Sequence, residues 1–263
     1  MQIIYLIVSF GASLIGAICG IGGGIIIRPI LDILKLDSIS TISFLSSCTV
    51  FAMSLYSVLR TFITREVVIN IKIATPIAIG AIAGGVIGQN LFQLAKKTTS
   101  FPDRVGIIQS ALLALITFGT LIYTLKKNYI STYSLSRPLA CFFIGILLGT
   151  ISSFLGIGGG PINLITLYFF FSLDVKTAAQ TSLYIILFSQ ISNIITMYIE
   201  RKIPYFDYSS LILMILGGIF GGMVGRKLFR KMNDKSIERL FASVMVAIIF
   251  ISICNIFQYA RVD

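Results

Sequence analysis

The pentapeptide Gly-Ile-Gly-Gly-Gly occurs twice, at residues 20–24 and again at 156–160, each time closing a long apolar segment. Four glycines in five residues hold a helix poorly, because each costs about 1 kcal/mol relative to alanine in a helix interior. A second, shorter apolar run follows each cluster, Ile25 to Leu36 in one case and Pro161 to Leu173 in the other. Each run is about half of the ~20 residues needed to cross a bilayer. In lipid, broken helix is tolerated only where protein or a water-filled cavity covers it. The pair of breaks therefore predicts re-entrant or discontinuous half-helices around a transport site.

Composition supplies the bilayer. The 263 residues are 56% hydrophobic and only 12% charged, with a mean hydropathy of +0.96, whereas soluble domains carry roughly 25% charged residues. The net charge is +11. Lys and Arg fall mostly in short gaps between apolar runs, which suits loops facing anionic headgroups. No basic domain interleaved with aromatic residues is present, so the lipid bilayer is an expected partner and nucleic acid is not. The chain contains no His, and its cysteines, Cys19, Cys48, Cys141 and Cys254, lie inside apolar segments without ligand spacing. Imidazole-based zinc or haem sites are excluded, and neither metal nor cofactor is expected. Residues 1–19 lack the charged n-region of a cleaved signal and are expected to stay as a first span.

Eight apolar stretches are long enough to cross: Ile3 to Cys19, Ser40 to Leu59, Ile73 to Phe92, Gly106 to Leu125, Leu139 to Leu155, Thr177 to Ile199, Tyr208 to Leu228 and Ile237 to Tyr259. The expected fold is an all-α integral membrane protein in two homologous four-span repeats, each with a Gly-rich break and a half-helix. Residues 1–127 form the first repeat, 128–138 a linker and 139–263 the second. Further matches support duplication: Gly80, Gly84, Gly85, Gly88, Leu91 and Phe92 recur as Gly217, Gly221, Gly222, Gly225, Leu228 and Phe229. An even number of spans per half makes parallel repeats the simplest topology; an extra crossing at each break would invert them.

Glycines four apart line one helix face and let another helix approach closely. They could join the two halves, or join two copies in a homodimer. With eight spans, the side holding both termini collects Arg60, Arg65, Lys72, Lys126, Lys127, Arg137, Arg201, Lys202 and Arg261, leaving twelve of the 21 basic residues opposite. The positive-inside rule then leans toward both termini outside.

Arg28, in Ile-Ile-Ile-Arg-Pro, is the residue that most invites a functional reading. An arginine at membrane depth must face a cavity, a partner or the interface. It either selects an anion, or snorkels to the surface with Asp32 four residues on as its partner. Backbone points to an anion too. A half-helix starting after each cluster would aim free N–H groups and its positive dipole end into the break, with Pro29 and Pro161 near its start. The expected binding set is Gly20, Gly22, Gly23, Gly24 and Arg28 in the first half, and Gly156, Gly158, Gly159 and Gly160 in the second. Ser46, Ser47, Asn163, Gln180, Thr181 and Ser182 would add neutral ligands. Polar stripes run along two spans, Ser43, Ser47, Ser54 and Ser57 on one and Ser182, Ser189, Asn193 and Thr196 on the other. Such residues serve interhelical hydrogen bonding as readily as pore lining.

Enzyme chemistry finds no support. No paired intramembrane carboxylates occur and no nucleophile stands beside a base. Neither cluster is followed by the Lys-Ser or Lys-Thr of a nucleotide-binding loop.

Duplicated four-span halves, each with Gly-x-Gly-Gly-Gly after its first span, resemble the sulfite exporter TauE/SafE family, also called the 4-toluene sulfonate uptake permease family. The resemblance covers nearly the whole chain. Pro29, five residues after Gly24, fits the family pattern; Ile165 stands at the matching place in the second copy, where proline appears instead at Pro161. Thr181-Ser182-Leu183 also looks like the second-half pattern, and Ser46-Ser47 is a looser version of it. The resemblance implies a multi-pass permease of the cell inner membrane that moves small anions such as sulfite, sulfonates or sulfoacetate. On the residues alone, a secondary transporter working by alternating access, an anion channel and a non-transporting assembly component all stay open.

Overall fold

A computed structural model describes residues 2–64, 69–98, 102–201 and 203–260. Arg65, Lys202 and Arg261, which count among the basic residues of the termini side above, lie outside them. The described residues form ten α-helices: α1 (Gln2–Cys19), α2 (Gly24–Ile33), α3 (Ile39–Thr64), α4 (Ile71–Thr98), α5 (Pro102–Lys126), α6 (Pro138–Leu155), α7 (Gly160–Phe171), α8 (Val175–Ile199), α9 (Tyr208–Lys231) and α10 (Asp234–Ala260). Eight of them are long and apolar enough to cross a membrane, and α2 and α7 are the short ones. Large apolar side chains such as Leu115, Phe118, Phe143, Leu147, Phe250 and Phe257 are exposed on the outside, as a lipid environment favours.

Local chemistry places the helix ends. Gly20 at φ 72° stops α1 and Gly156 at φ 64° stops α6, a left-handed conformation that a residue without Cβ reaches at little cost. Asp174 caps α8 by accepting from the Thr177 N–H at 3.1 Å, and Asp207 caps α9 by accepting from Ser209 and Ser210. Pro161 occupies the first turn of α7 as expected. Pro29 does not: α2 begins at Gly24, earlier than the proline suggested, so Pro29 lies in its second turn. A proline there lacks the N–H that would bond the carbonyl one turn back.

Both half-helices are re-entrant. After α1, the chain folds back so that Gly23 lies beside Ala12 and Ser13, and α2 returns to the end where α1 began. There, the Tyr5 hydroxyl of α1 donates to Asp37, just beyond α2. In the second half, α7 returns to the start of α6: Ser172 donates to the Tyr133 carbonyl at 2.9 Å, and the Tyr133 N–H donates to Phe169 O. These returns set the directions of the rest. Ser40, Lys96, Tyr205, Gln258 and Ile33 meet at the α1 end, through Lys96 to Ser40, Thr41 to Tyr205 O and Gln258 to Ile33 O. Lys127 pairs with Glu238 at the opposite end. Residues 2–126 thus start at one end and residues 138–260 at the other. The parallel arrangement favoured by an even span count is therefore not the one observed, because α1 and α2 together make an excursion with no net crossing.

The glycine stripes lie inside this single chain. A β-carbon on Gly84 would collide with the backbone of Ile146 and Thr150 in α6, and one on Gly80 or Gly88 would meet Phe142 O or Thr150 O. On α9, Gly221 and Gly225 meet Phe10 O and Leu14 O of α1 in the same way. Close packing of α4 on α6 and of α1 on α9 is the consequence. Of the two roles open for the stripes, joining the two halves of the sequence is the one they perform here.

The re-entrant turns also redistribute charge. Among the described residues, Lys35, Lys96, Lys97, Arg104 and Arg201 lie at the α1 end. Arg60, Lys72, Lys126, Lys127, Arg137, Lys176 and every Lys and Arg from Arg226 to Arg239 lie at the other. This asymmetry has the same sense as the one read from the sequence and is larger.

Candidate functional site

The two breaks meet at the centre of the protein. A β-carbon at Gly24 would stand 2.7 Å from Ile157 O and 3.2 Å from Ser46 Oγ; one at Gly160 would stand 3.1 Å from Ile25 Cδ1. Helices α3 and α8 flank the crossing: Gly22 lies against Val50 and Ile186, and Gly158 against Gln190 and Val50. Positive φ at Gly22, Gly158, Gly159 and Gly160, from 48° to 110°, lets the chain reverse in so little space. The Ile26 and Ile27 N–H groups bond back to Gly23 O. Gly24 and Ile25 lie ahead of that first turn, where helix N–H groups have no intrahelical acceptor.

Arg28 lies on α2 one turn beyond the break, 3% exposed. It does not snorkel. Its Nη2 donates to Gln109 Oε1 of α5, and the Gln109 Nε2 donates to Phe154 O at 2.6 Å, which ties the guanidinium to the last turn of α6. Nε stands 3.7 Å from Asp32 Oδ2, so the Asp32 partner expected from the sequence is present, but inside the protein. Nη1 has no hydrogen-bond partner. It sits against Gly156, where a β-carbon would be 2.5 Å away, with Ser43 Oγ at 3.1 Å from the same point. One face of a buried cation is thus aimed at the second break.

The surrounding polar groups are buried without partners to an unusual degree. The oxygens of Ser13, Ser43, Ser46, Ser153, Thr181, Ser182 and Ser189, with Asn163 Oδ1, Gln190 Oε1 and Asn193 Oδ1, are all buried and unpaired. Leaving such a group unsatisfied costs about 1–3 kcal/mol, so this concentration fits a route for polar cargo better than a packed core. Two cavities of about 10 Å³ each adjoin Arg28. That is room for roughly one water, so the chain is closed around the guanidinium.

Larger cavities open at both ends. One of about 410 Å³ is lined by Asp32, Lys35, Phe92, Lys96 and Tyr259. Phe92 also lines a small cavity beside Arg28, and Asp32 the other, so these two side chains separate the vestibule from the guanidinium. At the opposite end a cavity of about 310 Å³ is lined by Tyr123, Lys127, Tyr168, Asp174, Asp234 and Glu238. The first is built from the ends of α2, α4 and α10 with the starts of α3 and α5. The second uses the ends of α7 and α5 with the starts of α8 and α10.

Most of the expected binding residues converge. Gly22, Gly23, Gly24, Arg28, Ser46, Gly156, Gly158, Gly159 and Gly160 form the crossing, with Asn163 packed on Gly159. Ser47 accepts from Asn193 Nδ2 at 3.2 Å. Thr181 and Ser182 are fully buried on α8. Gly20 packs on Ala179. Gln180 turns elsewhere: its Oε1 accepts from Thr61, whose hydroxyl accepts from Arg226, a second buried arginine. Gln89, Gln109 and Gln190 were not singled out from the sequence. Gln109 is the lone amide within its apolar span, and that isolation was the available signal; Gln89 stands beside Asn90, and Gln190 shares its span with Gln180 and Asn193.

The chain's sequence matches the family model described as Sulfite exporter TauE/SafE over residues 5–251. It is 25% identical over 264 residues to the "Probable membrane transporter protein YunE" of Bacillus subtilis, covering 94% of this chain and 95% of that protein. It is 26% identical over 254 residues to the "Probable membrane transporter protein MJ0441" of Methanocaldococcus jannaschii, covering 91% of each. No solved structure matches.

Proposed function

The chain belongs to the TauE/SafE sulfite exporter family of membrane transporters, and from that premise we propose that it carries a small sulfur-containing or organic anion, such as sulfite, a sulfonate or sulfoacetate, across the cell inner membrane by alternating access. The observation that carries this reading is the buried Arg28 guanidinium, with Nη1 unpaired and facing Gly156. A charge-assisted hydrogen bond from that group contributes about 1.5–3 kcal/mol to anion binding. The N–H groups at the start of α2 add the positive end of a helix dipole. Ser43, Ser46, Ser153 and Asn163 offer neutral contacts that suit tetrahedral oxyanion groups.

Alternating access is supported by the vestibules at the two ends, with the break crossing between them. Rocking the elements around the crossing would widen one side of Arg28 while closing the other. The single-chain site needs no second copy, although a homodimer is compatible with it.

Ligand-dependent stabilisation of the purified protein tests the substrate class, because an anion that binds only the folded state raises the melting temperature with its concentration. Sulfite, thiosulfate, sulfonates, sulfoacetate, carboxylates and phosphate are compared at matched ionic strength. A shift selective for sulfur oxyanions that disappears in Arg28→Gln is expected. An equal shift in that variant would refute the assignment of Arg28.

A further inference from the structure

Arg28 has two claimants, and one of them is built into the chain. Asp32 lies one turn further along α2, its side chain 8% exposed, with Oδ2 3.7 Å from Arg28 Nε. Its other oxygen, Oδ1, is buried and has no hydrogen-bond partner. Yet Asp32 also lines the 410 Å³ vestibule, which gives a proton a route to it from that end. The carboxylate is therefore held by one ion pair and little else.

An anion arriving at Arg28 competes for the same positive charge and places a second negative charge beside Asp32. A buried carboxylate deprived of its cation and facing a like charge is unstable as the anion. We propose that Asp32 is a proton-binding site coupled to Arg28: entry of the substrate anion drives uptake of one proton onto Asp32 from the vestibule, and release of the anion returns it. This rests on Arg28 being the anion site. It makes the cargo an anion with its compensating proton, so the centre of the protein keeps the same net charge through the cycle.

Among the described residues, the other charged and titratable groups near Asp32 lie toward the vestibule. Lys35 and Asp37 come from the turn after α2, with Asp37 taken by the Tyr5 hydroxyl of α1. Lys96 of α4 donates to Ser40, and Tyr259 comes from α10. Among the described residues of α5 and α10, the polar groups lining the inner cavity are the neutral Gln109, Ser110, Ser252 and Asn255. No His is present in the chain to take the proton instead.

The test counts protons directly. Methanesulfonate is the probe, because it stays fully ionised across the pH range used and carries no proton of its own. Binding to the purified protein in weak buffer, followed with a pH indicator, should take up about one proton per anion bound. Affinity should weaken by up to about tenfold per pH unit as pH rises through the window between the free and bound Asp32 titrations. In Asp32→Asn, proton uptake should vanish and affinity should no longer depend on pH. Binding without proton uptake by the wild type, or uptake that persists in Asp32→Asn, overturns the coupling and leaves the anion site standing. Failure of methanesulfonate to bind at any pH overturns both.

Discussion

Substituting Gly84 by alanine and Gly119 by alanine should move stability in opposite directions. Both glycines are helical, and alanine is the better helix former by roughly 0.5–1 kcal/mol. At Gly119 nothing lies within 4 Å of the added carbon, so only that gain remains. At Gly84 the carbon would stand 2.8 Å from Ile146 C and from Thr150 N, and nearer still to Ile146 O. Carbon contacts are most favourable near 3.5–4.0 Å, so α4 and α6 must part by about 1 Å. The obstructing atoms are backbone and cannot rotate away. Overpacking of this kind costs typically ~1–3 kcal/mol, and because the helix gain is common to both variants it places them roughly 1–3 kcal/mol apart. Thermal unfolding in detergent can be followed with a thiol-reactive dye, since Cys19 and Cys141 are each only 1% exposed. Equal stability of Gly84→Ala and Gly119→Ala would refute the account of the glycine stripe.

Further outcomes follow from other parts of the fold. Gly156→Ala puts a β-carbon 2.5 Å from Arg28 Nη1 at a backbone φ of 64°; it should abolish anion binding while a substantial part of the protein still folds, as judged by gel filtration and binding side by side. Asp207 is held below the usual carboxylate range by hydrogen bonds from Ser210 and Ser209. Its capping contribution is thus present above the ordinary Asp value and lost as pH falls through the lowered one, so Asp207→Asn should flatten the acid limb of a stability profile. Single cysteines at Lys35 and Lys235, in a background lacking the native four, should label from opposite sides of the membrane with an impermeant reagent, and Lys35 from outside. Labelling of both from one side would contradict the helix directions described here.

Much of this was legible in the residues. Gly20–Gly24 and Gly156–Gly160 announced both breaks, because glycine in such density has few roles inside an apolar segment, and the half-length runs after them became α2 and α7. The direction of α2 was not legible. Whether a short helix crosses or returns depends on contacts such as Gly23 against Ser13 and Tyr5 with Asp37, which span no fixed sequence interval. Arg28 could be suspected from the cost of its charge in lipid, yet the choice between snorkelling and burial was made by Gln109, 81 residues away. Gln180 illustrates the converse. It neighbours Thr181 and Ser182 in sequence, but successive helical residues point about 100° apart, and its amide bonds Thr61 instead.

Uptake of a labelled sulfonate into proteoliposomes containing the purified protein, with Arg28→Gln beside the wild type, tests the central claim most directly. Wild-type uptake should saturate and be accelerated by unlabelled sulfonate trapped inside, as expected of a carrier that reorients around one site, and Arg28→Gln should lose it. Uptake in Arg28→Gln equal to the wild type, or a flux that never saturates and shows no counterflow, would contradict an anion carrier built around Arg28.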